Sequence, residues 1–215
     1  VIGRANRILL NICYKIICYD KDLRLLPKKY SNKIYIIDRI LRKEIYLCKK
    51  NEKQKFGELK KILVLGGSQG ANFFDQNITN LVLNISKNFK IEVCQQLIDI
   101  RRKLEIEKKY IGAGIKFRLF EFDENLLEKV NDFDIAITRS GATSVSELSY
   151  LNIPFLAIPF PYARDDHQYF NAKYYEIKNS CWLIRQNDFN LSRIENLINN
   201  LFKENTDYFK KKENL

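Results

Sequence analysis

From residue 61 onward, short apolar runs alternate with longer stretches whose apolar residues recur every three or four positions. The first pattern predicts buried strands and the second predicts amphipathic helices. Residues 61–67 read as a strand. Phe74, Ile78, Leu81, Val82 and Ile85 then mark one face of a helix over 72–85. The alternation continues with strand 90–94, helix 98–110, strand 115–120, short helix 124–130, strand 133–138 and helix 143–151. It closes with strand 153–160, helix 167–177, strand 180–184 and helix 191–202. Such repetition predicts an α/β fold, a Rossmann-like parallel sheet with helices on both faces.

Residues 1–20 predict a short helix followed by a strand. Leu9, Leu10, Ile12, Ile16 and Ile17 carry its apolar surface, with Arg4, Arg7 and Lys15 among them. That pattern suits packing on a neighbouring domain or lying on a membrane surface. A second strand is expected over 33–38. Residues 49–61 are charged and nearly free of apolar side chains, the mark of a linker or domain boundary. Residues 203–215 are polar and expected to fray.

Composition narrows the classes. The formal net charge of +11 on 215 residues has two readings. One is attraction to an anionic partner such as a membrane surface. The other is bias toward Lys, Asn, Ile and Tyr, residues of A+T-rich codons. No RRM-type aromatic signature, zinc spacing or recognition-helix pattern points to nucleic acid, so no nucleic-acid partner is expected. The five cysteines (Cys13, Cys18, Cys48, Cys94, Cys181) form no C-x-x-C pair and suit a reducing compartment. No apolar run reaches the roughly 18 residues of a spanning helix, and no signal-peptide pattern is visible. The sequence starts at Val1 and has no methionine, which leads us to expect a piece of a longer protein.

Ligands of such sheets bind beyond the carboxyl ends of the strands, and three loops at that edge have unusual chemistry. Residues 66–71 read Gly-Gly-Ser-Gln-Gly-Ala. They form either a tight turn or, with the following helix amino end, an anion site. The spacing fits neither the dinucleotide fingerprint nor the Walker loop. In residues 138–148, Ser140-Gly141 forms a turn, and a helix opens with Val145 and Leu148 toward the sheet. Glu147 is expected exposed near the helix start, away from those two. There it would either cap the helix or accept hydrogen bonds from ribose hydroxyls, and its removal should hardly change stability. In residues 159–175, Asp165 and Asp166 suit an N-cap. His167, Gln168 and Asn171 follow near the exposed helix end, in either a structural or a sugar-binding role. No grouping has convincing metal spacing, so no metal or cofactor is expected.

The three loops, in order, resemble the MurG family of N-acetylglucosaminyltransferases. That pattern is a strand leading to GGSQGA, then RSGA-x-[ST]-x-SE, then PF…D-x-x-Q-x-x-NA, matched here by residues 66–71, 139–147 and 159–172. The resemblance implies the C-terminal, donor-binding half of a GT-B glycosyltransferase. Residues 1–48 would be a remnant of the N-terminal domain with its linker, and 49–215 the UDP-GlcNAc-binding domain. By motif match Gly67, Ser68 and Gln69 meet the donor, and Asp123 lies where a backbone group reads uracil. An apolar residue is commoner at that last position. Ala142, Thr143, Ser144, Val145, Ser146 and Glu147 surround phosphate and ribose, with Glu147 on the ribose. Gln168, with His167, touches the GlcNAc hydroxyls. Arg42 matches the arginine of a G-N-P-V-R motif that here reads Asp38-Arg39-Ile40-Leu41-Arg42, without the Gly-Asn-Pro.

The implied reaction is inverting transfer of GlcNAc from UDP-GlcNAc to a hydroxyl of lipid I, the lipid-linked muramyl-pentapeptide, giving lipid II for peptidoglycan. Its implied place is the cytoplasmic face of the bacterial inner membrane, peripherally on anionic lipid. The catalytic base would belong to the N-terminal domain, with His167 a weak candidate in this chain. Other readings are a non-catalytic UDP-GlcNAc-binding fragment, a subunit needing a separate N-terminal partner, or an epimerase of similar architecture.

Overall fold

The structure is a computed structural model. It describes residues 4–19, 26–67, 73–97, 99–123, 126 and 131–215, with Arg4 and Ala5 described by backbone alone. The chain divides into two compact units, residues 1–41 and 42–215. The division falls seven residues before the boundary expected at 48/49.

In the first unit, helix α1 (Arg4–Leu9) precedes a two-stranded parallel sheet of β1 (Ile16–Cys18) and β2 (Ile34–Ile36). Leu10 and Tyr30 form its small core, with Ile16 and Leu26 packed alongside. Lys33 donates to the Cys13 carbonyl at 2.6 Å, closing the turn after α1.

The second unit opens with the short helix α2 (Lys43–Leu47) and contains a six-stranded, wholly parallel sheet. Its strands are β3 (Leu59–Leu65), β4 (Lys90–Gln96), β5 (Lys116–Phe120), β6 (Ile135–Thr138), β7 (Phe155–Ala157) and β8 (Cys181–Leu183). They lie in the order β5-β4-β3-β6-β7-β8. Ile62, Leu63 and Val64 are all fully buried, as a strand covered on both faces requires. After β3 a π turn, Phe74–Ile78, leads into α3 (Thr79–Ile85). Helices α4 (Lys103–Gly112), α5 (Ala142–Tyr150), α6 (His167–Ile177) and α7 (Leu191–Glu204) follow β4, β6, β7 and β8. The expected helix at 124–130 lies almost wholly outside the described residues. Asn190 caps α7 by accepting from the Arg193 amide at 2.9 Å. Ile194, Ile198, Leu201 and Phe202 then line the buried stripe of that helix.

Two expectations are corrected. Residues 49–61 are not a loose linker. Asn51 is fully buried and donates its side-chain amide to the Phe133 carbonyl at 2.6 Å; its backbone N–H donates to the Leu151 carbonyl, and its own carbonyl accepts from the Asn152 side-chain amide. Phe56 packs against the rings of Phe202 and Tyr208. Nor is the tail frayed. Residues 206–213 form α8 (Thr206–Glu213), which buries Tyr208 and lets its hydroxyl donate to the Asp134 carbonyl at 2.6 Å. The two aromatic rings of this otherwise polar run, Tyr208 and Phe209, pack against the core.

Lys212 of α8 completes the knot, donating to the Asn51 side-chain oxygen at 2.8 Å and the Lys53 carbonyl at 2.9 Å. Burial pushes its pKa down to about 8 from 10.5, with Lys53 adding repulsion and Asp134 opposing it. The depressed value gives the unfolded chain more protons between those limits, so stability rises with pH there. The wild type should gain stability relative to Lys212→Met as pH climbs from about 8 to 10.5. Paired thermal melts across that range check it, and parallel curves would refute it.

Candidate functional site

Glycine punctuation ends β3 and leads the chain into a cleft of about 490 Å³ at the carboxyl edge of the sheet. All residues lining it belong to the second unit. Gly67 takes a φ of +67°, a conformation costly for other residues, and its amide donates to the Gln96 side chain at 3.2 Å. Gln96, at the end of β4, passes on a bond to the Glu121 carbonyl. Sequence reasoning missed Gln96. The signal was a polar pair, Gln95-Gln96, closing an apolar strand run. The expected contacts at Ser68 and Gln69 lie outside the described residues.

Across the cleft, Gly141 opens α5, and Ala142, Thr143 and Ser144 of its first turn line the wall. Their backbone N–H groups have no earlier helical carbonyl to bond, so this helix end is positive and can receive an anion. Val145 is fully buried against the core and does not line the cleft. Ser146 also stays outside it, its hydroxyl donating to the Ala142 carbonyl at 2.6 Å.

Glu147 corrects the expectation of an exposed carboxylate near the helix start. It lies in the second turn, almost fully buried, yet reaches the cleft. Arg42 meets it in a two-pronged pair, Nε to Oε1 at 2.7 Å and Nη2 to Oε2 at 3.2 Å. Such paired charge-assisted bonds fix both groups in orientation. The bond to Glu147 raises the Arg42 pKa. The missing Gly-Asn-Pro therefore does not keep Arg42 away from the site.

His167 and Gln168 enter from α6. Asp165 and Asp166 before them both have φ of +53°, and Asp166 makes no side-chain cap bond. It pairs instead with Arg185 at 2.8 Å, which corrects the N-cap expectation. The His167 Nδ1 lies 2.8 Å from the Arg164 carbonyl. A carbonyl only accepts, so Nδ1 carries a proton, and Nε2 is the acceptor when the ring is neutral. The Gln168 oxygen takes the Phe160 amide at 3.0 Å, leaving its NH₂ as a donor. Asn171 donates to the Ser140 carbonyl at 3.0 Å, tying α6 to the turn before α5. At the far end, Phe120, Phe122 and Leu126 give an apolar wall beside Asp123, which pairs with Arg118.

Arg139 entered the sequence reading only as part of a motif. It is buried beneath the Gly66–Gly67 turn, donating to the Ile158 and Pro159 carbonyls at 3.0 Å and to Gln186 at 2.6 Å. Burial lowers its pKa to about 10, so it is charged at neutral pH. Among the described residues no cluster of three His, Cys, Asp or Glu could hold a metal ion. Also among them, no helix is long and apolar enough to cross a membrane.

Six parallel strands with a cleft at the reversal of their order, walled by a helix amino end, define the nucleotide-binding class of α/β domains. Within that class, the chain belongs to the glycosyltransferase family 28 C-terminal domain family, which matches residues 61–215. It is similar to the UDP-N-acetylglucosamine--N-acetylmuramyl-(pentapeptide) pyrophosphoryl-undecaprenol N-acetylglucosamine transferase of Pelagibacter ubique. The two are 34% identical over 215 residues, covering 100% of this chain and 60% of that protein. The Rickettsia canadensis protein of the same name is 30% identical over 200 residues, covering 92% of this chain and 56% of its own length. The chain thus spans less than two thirds of these relatives. Among solved structures, Acinetobacter baumannii MurG matches 100% of this chain and 58% of its own, with a TM-score of 0.72 and 19% identity. The family match and this likeness together give the fold as a Rossmann-like domain of the GT-B C-terminal type.

The pairing of the buried Glu147 carboxylate with half-exposed Arg42 changes what Glu147 does for the fold. Glu147→Ala should lower the unfolding free energy by roughly 1.5–3 kcal/mol, the range for a hydrogen bond to a charged group. Urea titration checks this. An unchanged midpoint would mean the pair contributes nothing to stability.

Proposed function

We propose that this chain holds UDP-GlcNAc as the donor half of an inverting glycosyltransferase that extends lipid I to lipid II. The observation that carries it is the convergence of Glu147, the amino end of α5 and the Gly66–Gly67 turn on one cleft. The names of the relatives supply the transferred sugar and the acceptor. The diphosphate would sit between the glycine turn and α5, where N–H groups face negative charge. Glu147 would accept from the ribose hydroxyls while Arg42 keeps the carboxylate in orientation. The uracil would lie along Phe120 and Phe122, with Asp123 offering backbone groups. His167 Nε2 and the Gln168 NH₂ would hold GlcNAc hydroxyls. Val145 and Ser146 would act through the backbone of α5, their side chains being turned into the fold.

In the reaction, the acceptor hydroxyl loses its proton to a base and its oxygen bonds to C1 of GlcNAc. The bond from C1 to the UDP oxygen breaks, and the electron pair leaves with UDP. The helix amino end and cleft amides stabilise that departing charge. The base and the lipid-binding surface are expected from sequence beyond these residues, because the relatives are longer. Work at the inner face of the membrane, in peripheral contact with anionic lipid, fits a lipid-linked acceptor and the basic charge.

Calorimetry should detect UDP binding to this chain, and no binding at millimolar ligand would refute the donor reading. Glu147→Ala should weaken UDP by roughly 1.5–3 kcal/mol. The chain alone should not transfer GlcNAc to lipid I, since proximity is lost when one substrate has no site. Adding a separately made N-terminal domain of a relative should restore turnover, read with radiolabelled UDP-GlcNAc. Robust transfer without it would promote His167 to candidate base.

A further inference from the structure

We propose that Arg139 is a buried countercharge for the diphosphate, a guanidinium placed under the cleft floor to attract an anion it does not need to touch. The inference rests on the reading above that an anionic nucleotide occupies the cleft. Arg139 follows β6 directly, and its amide donates to the Leu65 carbonyl at 3.0 Å, where β3 ends. A Cβ built on Gly67 would lie 3.7 Å from the Arg139 Cβ and Cγ, so the arginine stem runs against the glycine turn. The side chain borders the cleft yet is only 4% exposed.

Among the described residues, its surroundings hold no compensating charge. The acceptors are two backbone carbonyls and one amide oxygen, and Nε has no partner. The rings of Phe74, Phe73 and Phe160 lie 4.6, 5.4 and 5.5 Å from the guanidinium carbon. Among the described residues, no carboxylate pairs with it. Burying an unpaired cation is costly, and buried charges are ordinarily paired. A side chain needed only to clamp β7 to the loop after β8 could do so as a neutral amide, without that cost. The charge makes sense when its counterion is a solute. An anion against the glycine turn supplies the missing negative partner across low-dielectric packing, where charges are felt more strongly than in water. The aromatic shell keeps water from screening the interaction.

A clamp and a countercharge differ in one measurable way. Loss of a clamp weakens every ligand alike, whereas loss of a countercharge weakens ligands in proportion to their negative charge. Uridine, UMP and UDP are titrated calorimetrically into wild type, Arg139→Gln and Arg139→Lys. Arg139→Gln should lose roughly tenfold or more in UDP affinity. It should lose less for UMP and little for uridine, and Arg139→Lys should recover part of the loss. Equal losses for all three ligands would overturn the countercharge and leave the donor reading intact. No UDP binding by wild type would overturn both. If the variants do not fold, wild type labelled with ¹⁵N-arginine answers instead. The Arg139 Nε–H resonance, assigned through the backbone, should move with UDP and with inorganic pyrophosphate but not with uridine. A response to uridine as large as that to UDP, or none to pyrophosphate, would overturn the proposal.

Discussion

Between β3 and β6 the chain leaves the sheet in opposite directions, and the rest of the molecule answers to that reversal. The connection from β3 runs toward β4 and β5, and that from β6 runs toward β7 and β8. No crossover helix can cover the gap at the carboxyl ends of the two central strands. A crevice results from connectivity alone, before any side chain is chosen. Gly66–Gly67 and Ser140–Gly141 stand at its two lips because the backbone must turn away there without blocking it. The amino end of α5 is positive at the same place because helices run antiparallel to the strands they follow. The crevice is thus an anion site by geometry, and the side chains refine it.

Two arginines do the refining, in opposite electrostatic settings. Arg42 is half exposed and committed to Glu147, which satisfies both partners within the protein. Arg139 is buried among neutral groups. The first arrangement orients a hydrogen-bond acceptor for a neutral sugar. The second holds a charge in reserve. A nucleotide sugar has both kinds of group, and the cleft treats them separately.

The sheet was legible in the sequence because periodicity is a local property. The run Ile62 to Leu65 and the helical spacing from Phe74 to Ile85 each declare their own element. The glycine turns were legible for the same reason. Polar pairings were not. Arg42 and Glu147 are 105 residues apart, and nothing near Glu147 announces that its carboxylate is buried. Periodicity placed Val145 and Leu148 correctly in the core, but it read the charge on Glu147 as exposure. Asn51 failed in the same way. It sits in a charged run that looks like a linker, and only its three-dimensional partners reveal a buried hub. Polar residues become buried when their bonds are satisfied, and those bonds come from distant sequence.

The bond between Asn51 and Lys212 spans 161 positions. During synthesis, Asn51 and the strand that follows it emerge long before α8 exists. Until residue 212 has cleared the ribosome, the Asn51 side chain lacks its lysine donor and Phe56 lacks the Tyr208 ring. The central strands can pair earlier, because β3, β4 and β6 lie closer in sequence, but the unit cannot lock. Its nascent form would carry an open apolar seam along Phe56 and Phe202, a surface that chaperones recognise. Helix α8 thus hides the seam only once the chain has been made through to residue 212.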